Sequence, residues 1–178
     1  MKTFLELAAS RYSVRSFDQK AVEAEKLAQI LEAGRIAPTA HNDQPQRIKV
    51  IVGADDLAKV DECTRCRFGA STVLLIGYDK TACWKRSFDG ALSGEVDASI
   101  VTTHMMLAAQ DLGLGTCWVM YFNQQKAMEL FALPENFVPV AMLPIGYPAE
   151  NASPSPMHDS RLDIENILLK QEVGYGKG

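Results

Sequence analysis

The first residues able to do chemistry stand in RYSVRSF, Arg11 to Phe17, where two arginines four apart flank Ser13. A planar guanidinium matches phosphate oxygens as a fork, and a hydroxyl between two such forks adds a further donor. The same spacing serves a solvated face, so phosphate binding and plain surface charge both remain open. A second group, APTAHNDQPQRIKVI, gathers Pro38, Asn42, Gln44 and Pro45 in an amide-rich loop. Amide side chains donate and accept at once, which suits a pyrimidine edge of alternating N–H and C=O groups, although Asn and Pro also build ordinary turns. A third group, LGLGTCWVMYF followed by VAMLPIGYP, contains no Ser-His-Asp order, H-E-x-x-H helix, P-loop or metal-spaced acid pair. Hydrolysis and metal catalysis therefore lack candidates.

Other reactive residue types read as structure. Cys63 and Cys66 form a C-x-x-C, but neither Cys83, Cys117 nor the scattered histidines supply the second close pair of a structural zinc site. Reduced, half-buried thiols at a helix end are the expectation. His104 falls among apolar residues and reads as a satisfied core histidine, with Met105, Met106 and Trp118 as packing.

The elements that must position these groups follow from periodicity. Leu27, Ile30, Leu31 and Gly34 lie at helical spacing within Glu23 to Arg35, and Pro38 stops that helix soon after. RIKVIVG (Arg47 to Gly53) and TVLLIGYD (Thr72 to Asp79) are β-branched runs typical of buried strands, with a helix from near Ala54 or Asp55 between them. Gly94 to Leu112 is a long helix with apolar residues on nearly every face, expected at the centre of the fold, and Gly113 reads as its C-terminal cap. GTCWVMY is expected as a strand, NQQKAMELFAL as a helix capped by Asn123, VPVAMLPIGY as the last strand, and Leu162 to Lys170 as a final short helix. PAENASPSPMHDS should be an exposed connection. The irregular alternation predicts an α+β fold. Gly113 and Gly115 follow a helix and precede a strand, the reverse of a dinucleotide fingerprint.

Composition limits the partners. A chain of 178 residues, 47% hydrophobic, fits one domain spanning 1–178. Its net charge of -4, with no basic stripe, argues against nucleic acid. The opening MKTFLELAAS carries Glu6 inside an amphipathic pattern, unlike a signal peptide, and Val96 to Leu114 is too polar to span a membrane. A cytoplasmic protein is expected.

Taken in order, the segments resemble one family. RYSVRSF resembles the R-R-S-x-R-x-F opening of the nitroreductase family, and APTAHNDQPQRI its A-P-S-x-x-N-x-Q-P-W-R-F loop. DLGLGTCWV and LPIGYP resemble its G-L-G-T-C-W and P-x-G-Y-P segments, and SRLDIENIL its R-K-P-L-E-E-I tail. The resemblance runs from about residue 3 to residue 169 and implies a three-layer α+β fold, a mixed sheet around a long buried helix. It further implies a homodimer that exchanges terminal segments and encloses FMN at its interface. Arg11, Ser13 and Arg161 would hold the phosphate, with Tyr12 beside them, and Arg15 would lie at the N1/O2 edge of the ring. Pro38, Thr39, Ala40, Asn42 and Gln44 belong to the loop that would come from the other subunit. Main-chain groups of Cys117, Trp118, Val119 and Met120 would lie near N5, with Gly146 close by. Gln46 replaces the loop Trp, Leu162 the tail Lys, Tyr12 a second basic residue, and Met120-Tyr121 a small or acidic pair; these departures bear on substrate choice and on the phosphate grip.

The implied reaction is ping-pong: NADH or NADPH reduces the flavin and leaves, and an oxidised acceptor such as a nitroaromatic, a quinone or another flavin takes its place. The flavin carries the electron chemistry, so no catalytic side chain is expected. A flavin enzyme of the same fold performing dehalogenation or flavin breakdown, and a non-enzymatic FMN-binding protein, are the alternatives.

Overall fold

The computed structural model describes residues 3–169. Thr3 opens α1 (Phe4–Ser10) reciprocally: its hydroxyl accepts from the Glu6 amide at 3.3 Å, and the Glu6 carboxylate accepts from the Thr3 amide at 2.7 Å. The chain continues through α2 (Ala24–Arg35), β1 (Gln46–Val52), α3 (Ala54–Cys63), β2 (Thr72–Asp79) and α4 (Gly94–Asp111). Then come β3 (Gly115–Thr116), α5 (Gln124–Leu130), β4 (Phe137–Gly146) and α6 (Ile164–Ile167).

The strands lie in the order β1-β2-β4-β3, and every ladder between them is antiparallel, where a mixed sheet was expected. A parallel bridge, Ser13 to Thr116, adds the chain after α1 to the β3 edge. Alternation along the strands separates two cores. Leu74 and Ile76 of β2, with Ala141, Leu143 and Ile145 of β4, pack on Ile30 of α2 and on Ala98, Val101, Met105 and Ala109 of α4. Val73, Leu75 and Met142 face the other way, onto Val60 of α3, Ala127 of α5 and Phe131. The result is the three-layer α+β arrangement, with the sheet between α2/α4 and α3/α5. Gly113 takes the left-handed position after α4, at φ 75°, and the Asn123 side chain caps α5 by accepting from the Lys126 amide at 2.9 Å.

Several expectations change. The strand expected over GTCWVMY is formed only at Gly115–Thr116. Cys117 donates to the carbonyl of Pro144 at 3.3 Å, but Pro144 has no N–H to return, so the ladder lapses there and recurs as the bridge Val119 to Met142. Beyond it the chain turns outward, leaving Met120 and Tyr121 exposed. β1 is an edge strand rather than a buried one, with Val50 and Val52 exposed. His104 is not a core residue: it stands on the exposed side of α4 with Nδ1 2.9 Å from the Ile100 carbonyl, because in this chain α4 is covered only on the side of Ala98, Val101, Thr102 and Met105. The final helix occupies Ile164–Ile167, and Lys170 lies outside the described residues. No helix among the described residues is long and apolar enough to cross a membrane.

Candidate functional site

The segment after α1 cannot continue as helix because it is claimed by the sheet edge. Val14 donates its amide to the Thr116 carbonyl at 2.9 Å and buries its side chain against Gly115, where a Cβ would come within 2.4 Å of Val14 Cγ2. This close approach, which only glycine permits, sets Arg11 to Arg15 beside the chain that runs into Cys117. Gly146 pairs with Gly115 in the same ladder and faces Phe17. Two of the three sequence clusters are thereby brought together.

A cavity of about 210 Å³ opens at this junction, lined by Arg11, Tyr12, Ser13, Arg15 and, from the far end of the chain, Ser155, Met157, His158 and Arg161. No carboxylate lines it, and none of its three arginines forms an ion pair among the described residues. Arg161 is aimed by donating to the His158 carbonyl and, at 2.8 Å, to that of Ser160. Arg15 donates to the Ser13 carbonyl at 3.3 Å, and the Tyr12 ring meets His158 edge-on at 6.2 Å. Ser155 and His158 were not foreseen as site residues. Their only sequence signal was nearness to Arg161 in a connection rich in Pro and Ser.

The field of these arginines reaches the neighbouring strand. Burial pushes the Cys117 thiol above its ordinary value, while Arg15 foremost, then a hydrogen bond with Ser13 and the charge of Arg11, draw it back. Trp118 is half-buried, Val119 buried and Met120 exposed. Cys63 is buried at the end of α3 and its thiol is pushed up by burial; Cys66 is half-buried, and all four cysteines are free. Among the described residues no group of three or more His, Cys, Asp or Glu forms a metal-holding cluster.

The loop holding Pro38, Thr39, Ala40, Asn42 and Gln44 stands elsewhere. His41, Asn42 and Gln44 all have left-handed backbones, at φ 56°, 59° and 50°. Such strain persists only where surrounding bonds enforce it. Asp97 of α4, 1% exposed, does so: Oδ1 accepts the Ala40 amide at 2.8 Å and Oδ2 the Ser93 hydroxyl at 2.6 Å. Thr39 Oγ1 accepts the Gln44 amide at 3.1 Å, and the His41 ring stacks on Trp84 with centroids 6.1 Å apart. Ser10, next to the arginine cavity, is met by Gln110 at the other end of α4. From Asp97 to Gln110 the helix rises roughly 20 Å. Within one chain, then, the amide-rich loop and the arginine cavity sit at opposite ends of α4.

Comparison with known proteins bears on the fold and the family. The fold superposes on a nitroreductase family protein from Clostridium difficile 630 with a TM-score of 0.87 and 40% identity, covering 94% of this chain and 98% of that one. A Desulfovibrio desulfuricans nitroreductase, crystallised in complex with FMN, gives a TM-score of 0.79 at 30% identity over 96% of this chain and 98% of that one. A Methanothermobacter thermautotrophicus relative, named as an NADH dehydrogenase/NAD(P)H nitroreductase, is 30% identical over 90% of this chain and 86% of its own length. The model of the nitroreductase family matches residues 8–69 and 62–147, spanning both the arginine segment and the last strand. With sequence and fold in accord, the chain belongs to the nitroreductase family.

Proposed function

We propose that this protein is an FMN-dependent oxidoreductase that takes electrons from NADH or NADPH and delivers them to a small oxidised acceptor, working in the cytoplasm as a homodimer of single-domain chains. The observation that carries the reading is the cavity with three unneutralised guanidiniums in a chain of net charge -4. A donor-rich lining without a carboxylate fits the phosphate of FMN, since an anion there meets forks and hydroxyls and no repelling acid. Bound FMN would supply two-electron transfer between donor and acceptor.

In this reading Arg11, Ser13 and Arg161 hold the phosphate, with Ser155 and His158 as further polar neighbours. Arg15 supplies positive charge toward the Cys117 strand, where the pyrimidine edge would lie. The main chain of Cys117 to Met120 forms one edge of the ring slot, and Gly146 keeps that edge free of a side chain. The loop of Pro38, Thr39, Ala40, Asn42 and Gln44 reaches the cofactor of the partner subunit, which the roughly 20 Å rise along α4 supports. The names of the similar proteins support FMN and NAD(P)H as cofactor and donor. Nitroaromatics and quinones are the acceptors proposed.

The test is flavin content. The purified protein should be yellow and dimeric, and the double variant Arg11→Gln/Arg161→Gln should elute colourless while keeping the wild-type circular-dichroism spectrum. A folded double variant that retains stoichiometric FMN would overturn the phosphate assignment, and a monomer holding FMN would overturn the shared site.

A further inference from the structure

A pocket of about 540 Å³ lies beyond the Cys117 to Met120 segment, between the end of α3 and the turn before α5. Its lining runs from Asp61 to Arg65 on one side and from Met120 to Asn123 on the other. The two walls are tied together: Thr64 donates its hydroxyl to the Tyr121 carbonyl at 2.6 Å, and the Asn123 amide donates to the Cys63 carbonyl at 2.9 Å. Thr64 Oγ1 also accepts the Cys66 amide at 3.1 Å, which fixes the turn carrying Arg65. The pocket is a held shape within the size range of small-ligand sites.

Its charges are unequal in commitment. Asp61 accepts from Nε and Nη2 of Arg67, each at 2.7 Å, and Glu62 pairs with Lys126 at 2.9 Å. Arg65 has no hydrogen-bond or ion-pair partner among the described residues. The pocket therefore presents one uncommitted guanidinium next to Met120 and Tyr121, which are 70% and 79% exposed. A thioether and a phenol ring offer a polarisable apolar surface, and the guanidinium of Arg65 in the same lining offers a fork for an anion.

We propose that this pocket binds a planar ligand bearing an anionic group, its ring against Met120 and Tyr121 and its anion on Arg65. The inference rests on the oxidoreductase reading above and gives the ligands of that site their chemical class. The shared chemistry is an aromatic ring with an oxyanion. It has two sources, the phosphates of the nicotinamide donor and the carboxylate of an aromatic acceptor.

Anaerobic rapid-mixing kinetics separate the sources, because donor and acceptor act in separate half-reactions. With para-nitrobenzoate and neutral para-nitrobenzyl alcohol as acceptors, Arg65→Gln should lower the charged-to-neutral rate ratio by about fivefold or more, and Arg65→Lys should restore most of it. If the donor's phosphates are the anion, the loss appears instead as weaker saturation by NADPH in the reductive half-reaction. Either loss should shrink at high ionic strength. An unaltered acceptor ratio together with unaltered NADPH saturation overturns the proposal. Calorimetric titration of para-nitrobenzoate, and separately of NADP+, into wild type and Arg65→Gln decides the pocket even if NAD(P)H fails to reduce the protein, an outcome that would overturn the oxidoreductase reading alone: weaker binding of either ligand in Arg65→Gln supports the pocket, and equal binding of both refutes it.

Discussion

Three guanidiniums facing one cavity without a carboxylate repel one another, and an anion that enters relieves that repulsion. Arg15 differs from Arg11 and Arg161 in what it faces, because its charge is the largest of those acting to lower the Cys117 thiol. Charge beside the pyrimidine edge favours the reduced, anionic flavin over the neutral oxidised one. Arg15→Gln should therefore still bind FMN but lower its midpoint potential. The exposure of Arg15 argues for the weak end of a charge-assisted hydrogen bond, about 1.5 kcal/mol, or about 30 mV for a two-electron couple. Dye-equilibrated titration of wild type and variant measures this, and an unchanged or higher midpoint would refute the role. Sequence spacing alone could not distinguish these arginines from a solvated face. What it lacked was the absence of a carboxylate partner, a property of the folded surface.

The elements carry the site through two devices. Gly115 lets Val14 and its neighbours lie against the sheet edge, and a Cβ there would meet Val14 Cγ2 at 2.4 Å. Gly115→Ala should cost about 1–3 kcal/mol by overpacking, read in urea denaturation, and should lower the flavin content as purified. Asp97 is the second device. Asp97→Ala leaves the Ala40 amide and the Ser93 hydroxyl without their acceptor and should cost about 1–3 kcal/mol, with protease sensitivity rising in the loop of residues 38–44. The elements themselves were largely legible: β2 and α3 begin where composition and turn residues place them, and α2 and α4 differ by one residue at an end. The failures have physical causes. A proline across the ladder shortened β3, neighbour order made β1 an edge, and a helix apolar all round proved to be covered on one side within this chain, exposing His104. From the sequence, Asp97 is only one of the polar residues that make Val96 to Leu114 too polar to span a membrane. Its role depends on residues 40 and 93, a pairing that no local pattern encodes.

At the scale of the molecule, one polar junction fastens three elements. Tyr147, just past β4, donates its hydroxyl to the Glu23 carboxylate ahead of α2 at 2.7 Å and accepts from Lys26 at 2.9 Å. Lys26 also donates to the Leu112 carbonyl at the end of α4 at 2.9 Å. The Tyr147 hydroxyl first, then the backbone and Lys20, hold the Glu23 carboxyl down to about 2 from an ordinary 4.5. Because the folded value is depressed, the stability it contributes is complete above pH 4.5 and is lost as pH falls from there toward 2. Glu23→Gln should flatten that part of the acid-denaturation curve; a curve unchanged in shape would show the junction to be idle. The family-level order of segments was legible, and the family model bears it out over residues 8–147, whereas the proposed sharing of the site between two subunits came only as an implication of the resemblance.

Every role proposed for the site residues serves the passage of electrons from a nicotinamide to a bound flavin. Purified wild-type protein, made anaerobic and mixed with a slight excess of NADH or NADPH, tests it most directly through the visible flavin absorbance. Bleaching within seconds by at least one of the two donors, and full return of the colour when a quinone is added, are the expected results. A yellow protein whose absorbance persists with both donors would contradict that electron transfer.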